Sequence, residues 1–515
     1  MPAHTRNRIT ARLAPRARVP PIDSDPDLLQ SFLSDAAHVP GGVAAGVVFP
    51  ADAAEIASVM TAVGRVLPVG AQSSLTGGAT PRGDVVLSTR RLTQIDEPQR
   101  GTVRADAGVS LSQLQRALGA HGLYYPPVPT FDGAFVGGTI ATNAAGAATF
   151  KYGTTRDWVR ALTVVLADGS ILDLRRGEVT ASPDGRLEVE FASGDIATIR
   201  VPTYTMPRVP KLSAGYYAAP GMDLIDLFIG SEGTLGVIVD ATLRVIPRPA
   251  FCIALVQCRS EGQALAVTAA LRHDAKLASS GDGVLDVAAI EYMDAQSLSL
   301  LDADTFARAG VERPPPQSTL LLVQLEFGAE SEATLGRLQG LLETCDVTAD
   351  PVLALPGDDR GAARLFDLRE SVPSTVNALV AAAKARVHPD IQKTAGDLIV
   401  PFDRLAESLA LYREALERRG LQYAIWGHVS DGNLHPNVVP TSLDDVEQGR
   451  EALREMARGA TKMGGAPLAE HGVGRSALKQ SLLLELYGER GIEEMRAVKR
   501  ALDPEGKLAR GVLFP

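Results

Sequence analysis

The densest collection of chemically capable side chains lies in Trp426-Gly-His-Val-Ser-Asp-Gly-Asn-Leu-His-Pro-Asn437, followed downstream by Ala469-Glu-His-Gly-Val-Gly-Arg475. Imidazole nitrogens and carboxylate oxygens are the donors that divalent transition metals take, and an imidazole is also the commonest general base near neutral pH. Asp431-Gly432 between short apolar runs predicts a two-residue hairpin turn. His428 then opposes His435, Trp426 opposes Asn437 and Ser430 opposes Asn433, all six on one face, while Val429 and Leu434 point to a core. Opposed residues hold their Cβ atoms about 4.5–5.5 Å apart, which suits two imidazoles on one ion. A third ligand and a base are both on offer at Glu470-His471. Two histidines near an arbitrary turn are usually structural, and Glu-His alone is a common dipeptide; the paired geometry is what singles these out.

A second chemistry is suggested by three glycine-bearing segments, Pro68–Gly78, Gly133–Gly146 and Gly230–Gly236, each beside an expected strand. Glycine lets backbone N–H groups approach a phosphate, and Ser or Thr hydroxyls add donors. One such segment is weak evidence, because glycine clusters mostly make turns; three in one region favour a nucleotide. The first loop lacks the Lys-Ser/Thr ending of a P-loop, Gly41-Gly42-Val-Ala-Ala-Gly46 lacks the GxG core, and Gly472-Val-Gly-Arg-Ser-Ala477 does not follow a buried parallel strand. A dinucleotide-binding Rossmann unit is not supported.

These groups need elements to hold them. A helix is predicted over 53–63 with Asp52 as N-cap, then a strand over 65–69 that runs into Gly70. From Val43 to Pro247 short β-rich runs alternate with helical stretches, an α+β pattern. Residues 174–220 read as a polar hairpin insertion with strands over 187–191 and 196–201, and no chemistry is found there. Strands over 253–256 and 320–325 with helices over 262–271 and 332–343 make a second α+β unit. Helices over 445–463, 476–487 and 491–502 follow. The predicted division is an N-terminal extension 1–38, a first domain 39–248, a second 249–443 and a helical segment 444–515 that completes the site.

The whole chain bounds these readings. Its 515 residues exceed a single core, and its net charge of −10 disfavours nucleic acid and acidic membranes as partners. Three cysteines without CxxC spacing give no disulfide framework and point to a cytoplasmic location. No stretch is long and apolar enough to span a membrane, so any membrane association would be peripheral, through a partner. The arginines at 6, 8, 12, 16 and 18 read as a disordered basic tail in preference to a transit peptide.

The glycine segments, with Lys151-Tyr-Gly153 and Asp168-Gly169, resemble the FAD-binding domain of the vanillyl-alcohol oxidase type. The segments at 428–435 and 470–474 match the GHxxDGNLH and EHGxG motifs of the D-lactate, glycolate and D-2-hydroxyglutarate dehydrogenases, and the resemblance runs from about Pro40 to Pro515. It implies an α+β fold with an FAD-binding domain, an α+β substrate-binding cap domain and a helical C-terminal segment. It implies flavin contacts from Pro68, Gly70, Ala71, Gln72, Ser73, Ser74, Thr76, Gly77 and Gly78; from Pro129, Gly133, Gly137, Gly138, Thr139, Asn143, Gly146, Tyr152 and Gly153; from Glu232, Gly233, Val237 and Ile238; and from Asn433. It further implies His428, His435 and Glu470 as metal ligands, for zinc with manganese or iron as alternatives, and His471 as general base. Asn437 becomes a substrate-side donor, Arg369 the carboxylate clamp and Lys393 a catalytic lysine. Because no histidine lies between Pro68 and Gly78, the FAD is expected to be non-covalent.

The implied activity is oxidation of a D-lactate-like D-2-hydroxy acid to the 2-oxo acid, with electrons passed to a quinone, a cytochrome or an electron-transfer flavoprotein, by a chain that can be a homodimer. Longer Lys393–Pro401 spacing, and Pro373 where a hydroxyl is expected, argue against selectivity for D-2-hydroxyglutarate. Two alternatives remain open: a flavin-carrying subunit of a glycolate oxidase-type complex, and a non-redox flavin enzyme of the alkyl-dihydroxyacetone-phosphate synthase type.

Overall fold

The computed structural model describes residues 6–127, 129, 131–280, 285–328 and 331–515. The first core forms around a three-stranded parallel sheet in which Arg82–Ser88 lies between Val43–Val48 and Val66–Val69. The helix Ala53–Ala62 buries Ile56, Ala57, Val59 and Met60, the three-and-four spacing of one helical face, and the Asp52 carboxylate accepts from Glu55 N at 2.8 Å. A four-stranded antiparallel sheet stands beside it, in the order Thr102–Asp106, Val237–Arg244, Val159–Val165, Ile171–Arg175. The first glycine loop leaves Val66–Val69 and the third enters Val237–Arg244, so both are anchored on sheet strands.

The N-terminal arginines are not in a disordered tail. From Arg6 onward the chain is held: Arg8–Thr10 pairs in parallel with Arg186–Glu190, whose other neighbour is Ile196–Arg200. Alternation decides this, since Ile9 is buried while Arg8 pairs with Glu188 at 2.6 Å and Arg12 with Asp173 at 2.6 Å.

The second core is an eight-stranded sheet. Its main path runs Val352–Ala354, Ala250–Cys258, Thr319–Phe327, Asp286–Met293, Tyr423–His428, Asn433–Val438, Thr394–Ala395, and Leu398–Ile399 also pairs with Asn433–Val438. Helices Glu261–Ser280, Leu405–Glu417 and Leu443–Lys462 cover one face, while Ala303–Ala309 and Asp359–Arg386 cover the other.

The helical stretch expected from 444 onward divides between the two cores. Leu443–Lys462 packs on the cap sheet, whereas Leu483, Ile492, Met495, Val498 and Leu502 join the first core. Ala477–Leu502 contains a break at Gly488, φ 68°, which separates the two helices that the sequence predicts. Beyond it Val66 N donates to Lys507 O at 3.0 Å and Ala509 N to Val66 O at 2.8 Å, so the final residues extend the edge of the first sheet.

Candidate active site

The hairpin at 423–438 forms, but in a different register from the expected one. Trp426 opposes His435 and His428 opposes Asn433, around a four-residue loop whose Gly432 has φ 79°. The buried Asp431 carboxylate lies 3.3 Å from the Lys211 ammonium, and a Cβ at Gly432 would meet Val400 O at 2.2 Å. Because side chains alternate with period two, a two-residue slip leaves both histidines on one face. They sit diagonally, ring centroids 5.5 Å apart.

Their chemistry centres on Glu470. Its Oε1 lies 3.3 Å from His428 Nε2, 3.2 Å from His435 Nε2 and 3.5 Å from His471 Nε2. The opposite ring nitrogens are backed by carboxylates: His428 Nδ1 is 2.6 Å from Glu291, and His471 and His435 Nδ1 are 3.6 and 3.9 Å from Asp397. The His428–Glu291 contact is short enough to fix the tautomer and direction of a metal-binding imidazole, whereas Asp397 stands beyond hydrogen-bond reach of the other two Nδ1 atoms and acts on those rings through its charge. Donor atoms of Asp397, His435, Glu470 and His471 all lie within 4.8 Å of one another. His428, expected as a ligand, is outside that group of four and joins through Glu470. Two ligands about 2.0–2.1 Å from a tetrahedral ion are about 3.4 Å apart, so the spacing of the imidazoles from Glu470 Oε1 fits a small divalent ion.

Asp397 also accepts the backbone N–H of Glu470 at 3.0 Å and of His471 at 2.8 Å, fixing the dipeptide itself. Burial pushes the His435 imidazole down to about 4. For His428, burial alone would lower the pKa, yet Glu291 and Glu470 together outweigh it and the nearby Lys211, raising it to about 9.

The three glycine segments meet in one cavity of about 290 Å³. Pro68, Gly70, Ala71, Gln72, Ser73, Ser74 and Gly78 line it from the first loop. Pro129, Gly137, Gly138 and Thr139 line it from the second, and Glu232, Gly233, Val237 and Ile238 from the third. The same cavity reaches Glu470 and His471, so the nucleotide-type loops and the imidazole cluster share one space. The Glu232 carboxylate accepts from Val473 N and Gly474 N, both at 2.8 Å, and burial pushes its carboxyl up to about 7.

Other expected flavin contacts fall outside that lining. Thr76 O accepts from Arg475 N at 3.0 Å, and Gly77 and Gly153 adopt φ of 73° and 72° in turns. Gly133 lies under the Phe131 ring, and Asn143 accepts from Arg156 N at 3.0 Å. Gly146 O faces the Lys211 ammonium at 3.5 Å, and the Tyr152 hydroxyl donates to Glu326 of the cap sheet. Asn433 donates to Leu398 O at 2.9 Å. These backbone and interdomain partners show how each is held.

Arg369, Lys393 and Asn437 are near the hairpin but already engaged. Arg369 is buried with its Nε 2.9 Å from Glu291 Oε2 and its NH1 2.6 Å from Glu370, whose side chain is 40% exposed. Asn437 donates to His435 O at 2.8 Å, leaving its buried Oδ1 without a partner. Lys393 donates to Asn377 at 3.0 Å and lies over the Trp426 ring. Three charged residues of the site were not found from sequence: Lys211, Glu291 and Asp397. An acid inside the apolar run Asp286–Met293 is the one signal that was available, for Glu291.

Comparison with known proteins agrees with this geometry. An FAD binding domain model matches residues 44–175, and the model of the C-terminal domain of FAD linked oxidases matches residues 251–513. The chain belongs to the FAD-linked oxidases. It is 31% identical to D-lactate dehydrogenase of Anaerostipes hadrus, over 85% of this chain and 82% of that one. It is 30% identical to D-2-hydroxyglutarate dehydrogenase of Xanthomonas citri pv. viticola (87% and 84% covered), and 28% identical to glycolate oxidase subunit GlcD of Bacillus subtilis (91% and 88%). A solved alkyldihydroxyacetonephosphate synthase superposes with a TM-score of 0.60 at 16% identity, over 90% of this chain and 76% of that one, and so shares the fold. In this FAD-linked oxidase no helix among the described residues is long and apolar enough to cross a membrane.

Proposed function

We propose that this protein is an FAD-dependent dehydrogenase that oxidises a D-2-hydroxy acid, D-lactate-like in size, to its 2-oxo acid. The supporting observation is the single cavity that joins the three glycine loops to Glu470 and His471. Relatives named for D-lactate, D-2-hydroxyglutarate and glycolate fit that reading.

The three glycine loops would hold FAD, which would supply the acceptor for the α-hydrogen as hydride. His428, His435 and Glu470 would hold a divalent ion, whose positive charge would acidify the substrate hydroxyl. His471 takes the hydroxyl proton at Nε2: its side chain is 23% exposed, against 2% for His428 and 6% for His435, so it is the imidazole that faces the cavity. Asp397 beside its Nδ1 steadies the resulting imidazolium. Arg369 is the guanidinium assigned to the substrate carboxylate: its NH1 is held by the part-exposed Glu370, which the substrate would have to displace, while its Nε stays on Glu291.

Anaerobic mixing of the purified chain with a panel of D- and L-2-hydroxy acids tests this. Bleaching of the flavin by D-acids supports it, and no bleaching by any acid refutes it. Bleaching only after partner subunits are added assigns the chain to a GlcD-like complex instead. The FAD is expected to leave with the supernatant on acid precipitation, because Pro68–Gly78 contains no histidine for a covalent link; flavin retained in the pellet contradicts this. Arg369→Ala is expected to raise KM about 10- to 100-fold, the worth of a charge-assisted hydrogen bond. An unchanged KM leaves Arg369 with its Glu291 contact alone.

A further inference from the structure

We propose that Lys211 is a positioning residue that aims the Glu470 carboxylate at the metal site, a role that rests on the metal reading above. Lys211 lies in the irregular stretch between Ile196–Arg200 and Ile225–Phe228, and its side chain is fully buried, 0% exposed. Its ammonium is 2.7 Å from Glu470 Oε2, 3.3 Å from Asp431 Oδ2 and 3.5 Å from Gly146 O. Glu470 Oε2 and Gly146 O accept hydrogen bonds from the ammonium and Asp431 is its ion-pair neighbour, so three parts of the chain meet on it: the segment after the cap sheet, the second glycine segment and the hairpin loop.

Taking a charge out of water is costly unless it is paired, so a buried lysine at this junction needs a local reason. The two oxygens of Glu470 provide one. Oε2 is taken by Lys211, and Oε1 is the atom that faces all three imidazole Nε2 atoms. Among the described residues no other donor is bonded to Oε2, so without the ammonium the carboxylate is free to turn its plane away from the imidazoles. Asp431 is the second beneficiary: its carboxylate makes no well-formed hydrogen bond and faces the ammonium. Lys211 therefore lies between the hairpin that carries His428 and His435 and the carboxylate that must join them, and it acts through its bond to that carboxylate.

The test is equilibrium dialysis of the FAD-loaded protein against Zn²⁺, with bound zinc read by elemental analysis. Lys211→Met is expected to weaken zinc binding about 10- to 100-fold, the range for removing a partner that orients a ligand, with FAD content unchanged. Lys211→Arg should recover part of the loss. Since Lys211→Met strands a buried carboxylate, Lys211→Met/Asp431→Asn removes both charges together and should show the same weakening if the single variant does not fold. Asp431→Asn alone should bind zinc within about twofold of wild type, because the Lys211–Glu470 contact remains. Wild-type affinity in both Lys211→Met proteins overturns the proposal, as does a full loss from Asp431→Asn alone. A wild type that takes up no zinc overturns the metal reading together with it.

Discussion

His471→Ala is expected to slow reduction of the bound flavin by about 10²–10⁴-fold, the usual worth of a general base, with FAD and metal contents unchanged. His471 is the most exposed of the three imidazoles around Glu470, and it lines the cavity. Its backbone N–H is fixed by Asp397 at 2.8 Å, so removing the ring leaves the loop in place. Anaerobic stopped-flow at saturating substrate gives the rate, and elemental analysis of the same sample gives the metal. A variant that loses its metal moves His471 into the ligand set, which its distance of 3.5 Å from Glu470 Oε1 makes a clean alternative.

The second large effect is expected from the hairpin. His435→Ala and His428→Ala should both lose bound metal and nearly all turnover while holding FAD, because the glycine loops belong to the first core and the hairpin to the second. They differ in what they leave behind. His435→Ala removes a ring whose Nδ1 has no hydrogen-bond partner, so little else is disturbed. His428→Ala strips the partner from Glu291, whose carboxyl, although burial alone would raise it, is held well below its usual range by Arg369 and His428. His428→Ala should therefore also lower thermal stability more than His435→Ala, in a melting curve of the two proteins side by side. If both variants keep wild-type metal, the imidazoles act on substrate directly.

The glycine loops, the Asp52-capped helix and the α+β pattern were legible because each depends on local pattern: turn residues, a cap, alternation. The hairpin was legible in its face and not in its register. Asp431-Gly432 is a strong turn signal, but the contact between Asp431 and Lys211 is long-range and draws the aspartate into a wider loop. Lys211, Asp397 and Glu291 were missed for the same reason. Lys211 and Asp397 are isolated charges in unremarkable stretches, Glu291 is marked only by standing in an apolar run, and the meaning of each appears only when segments from elsewhere in the chain close around it. The N-terminal arginines misled in the opposite direction: their carboxylate partners, Glu188 and Asp173, lie more than a hundred residues away.

The packing of the chain's last stretch on the first core has a bearing on biosynthesis. Leu483, Ile492, Met495, Val498 and Leu508 fill the core that carries the glycine loops, and residues 507–509 bond to the strand that leads into the first of them. The cap sheet lies between the two parts in sequence. Domains usually fold in order as the chain emerges from the ribosome, but here the nucleotide-binding half is expected to wait, open at one edge, until the cap has been translated. Cofactor capture is thereby deferred to a nearly finished polypeptide, and a nascent chain arrested before Ala477 should remain colourless.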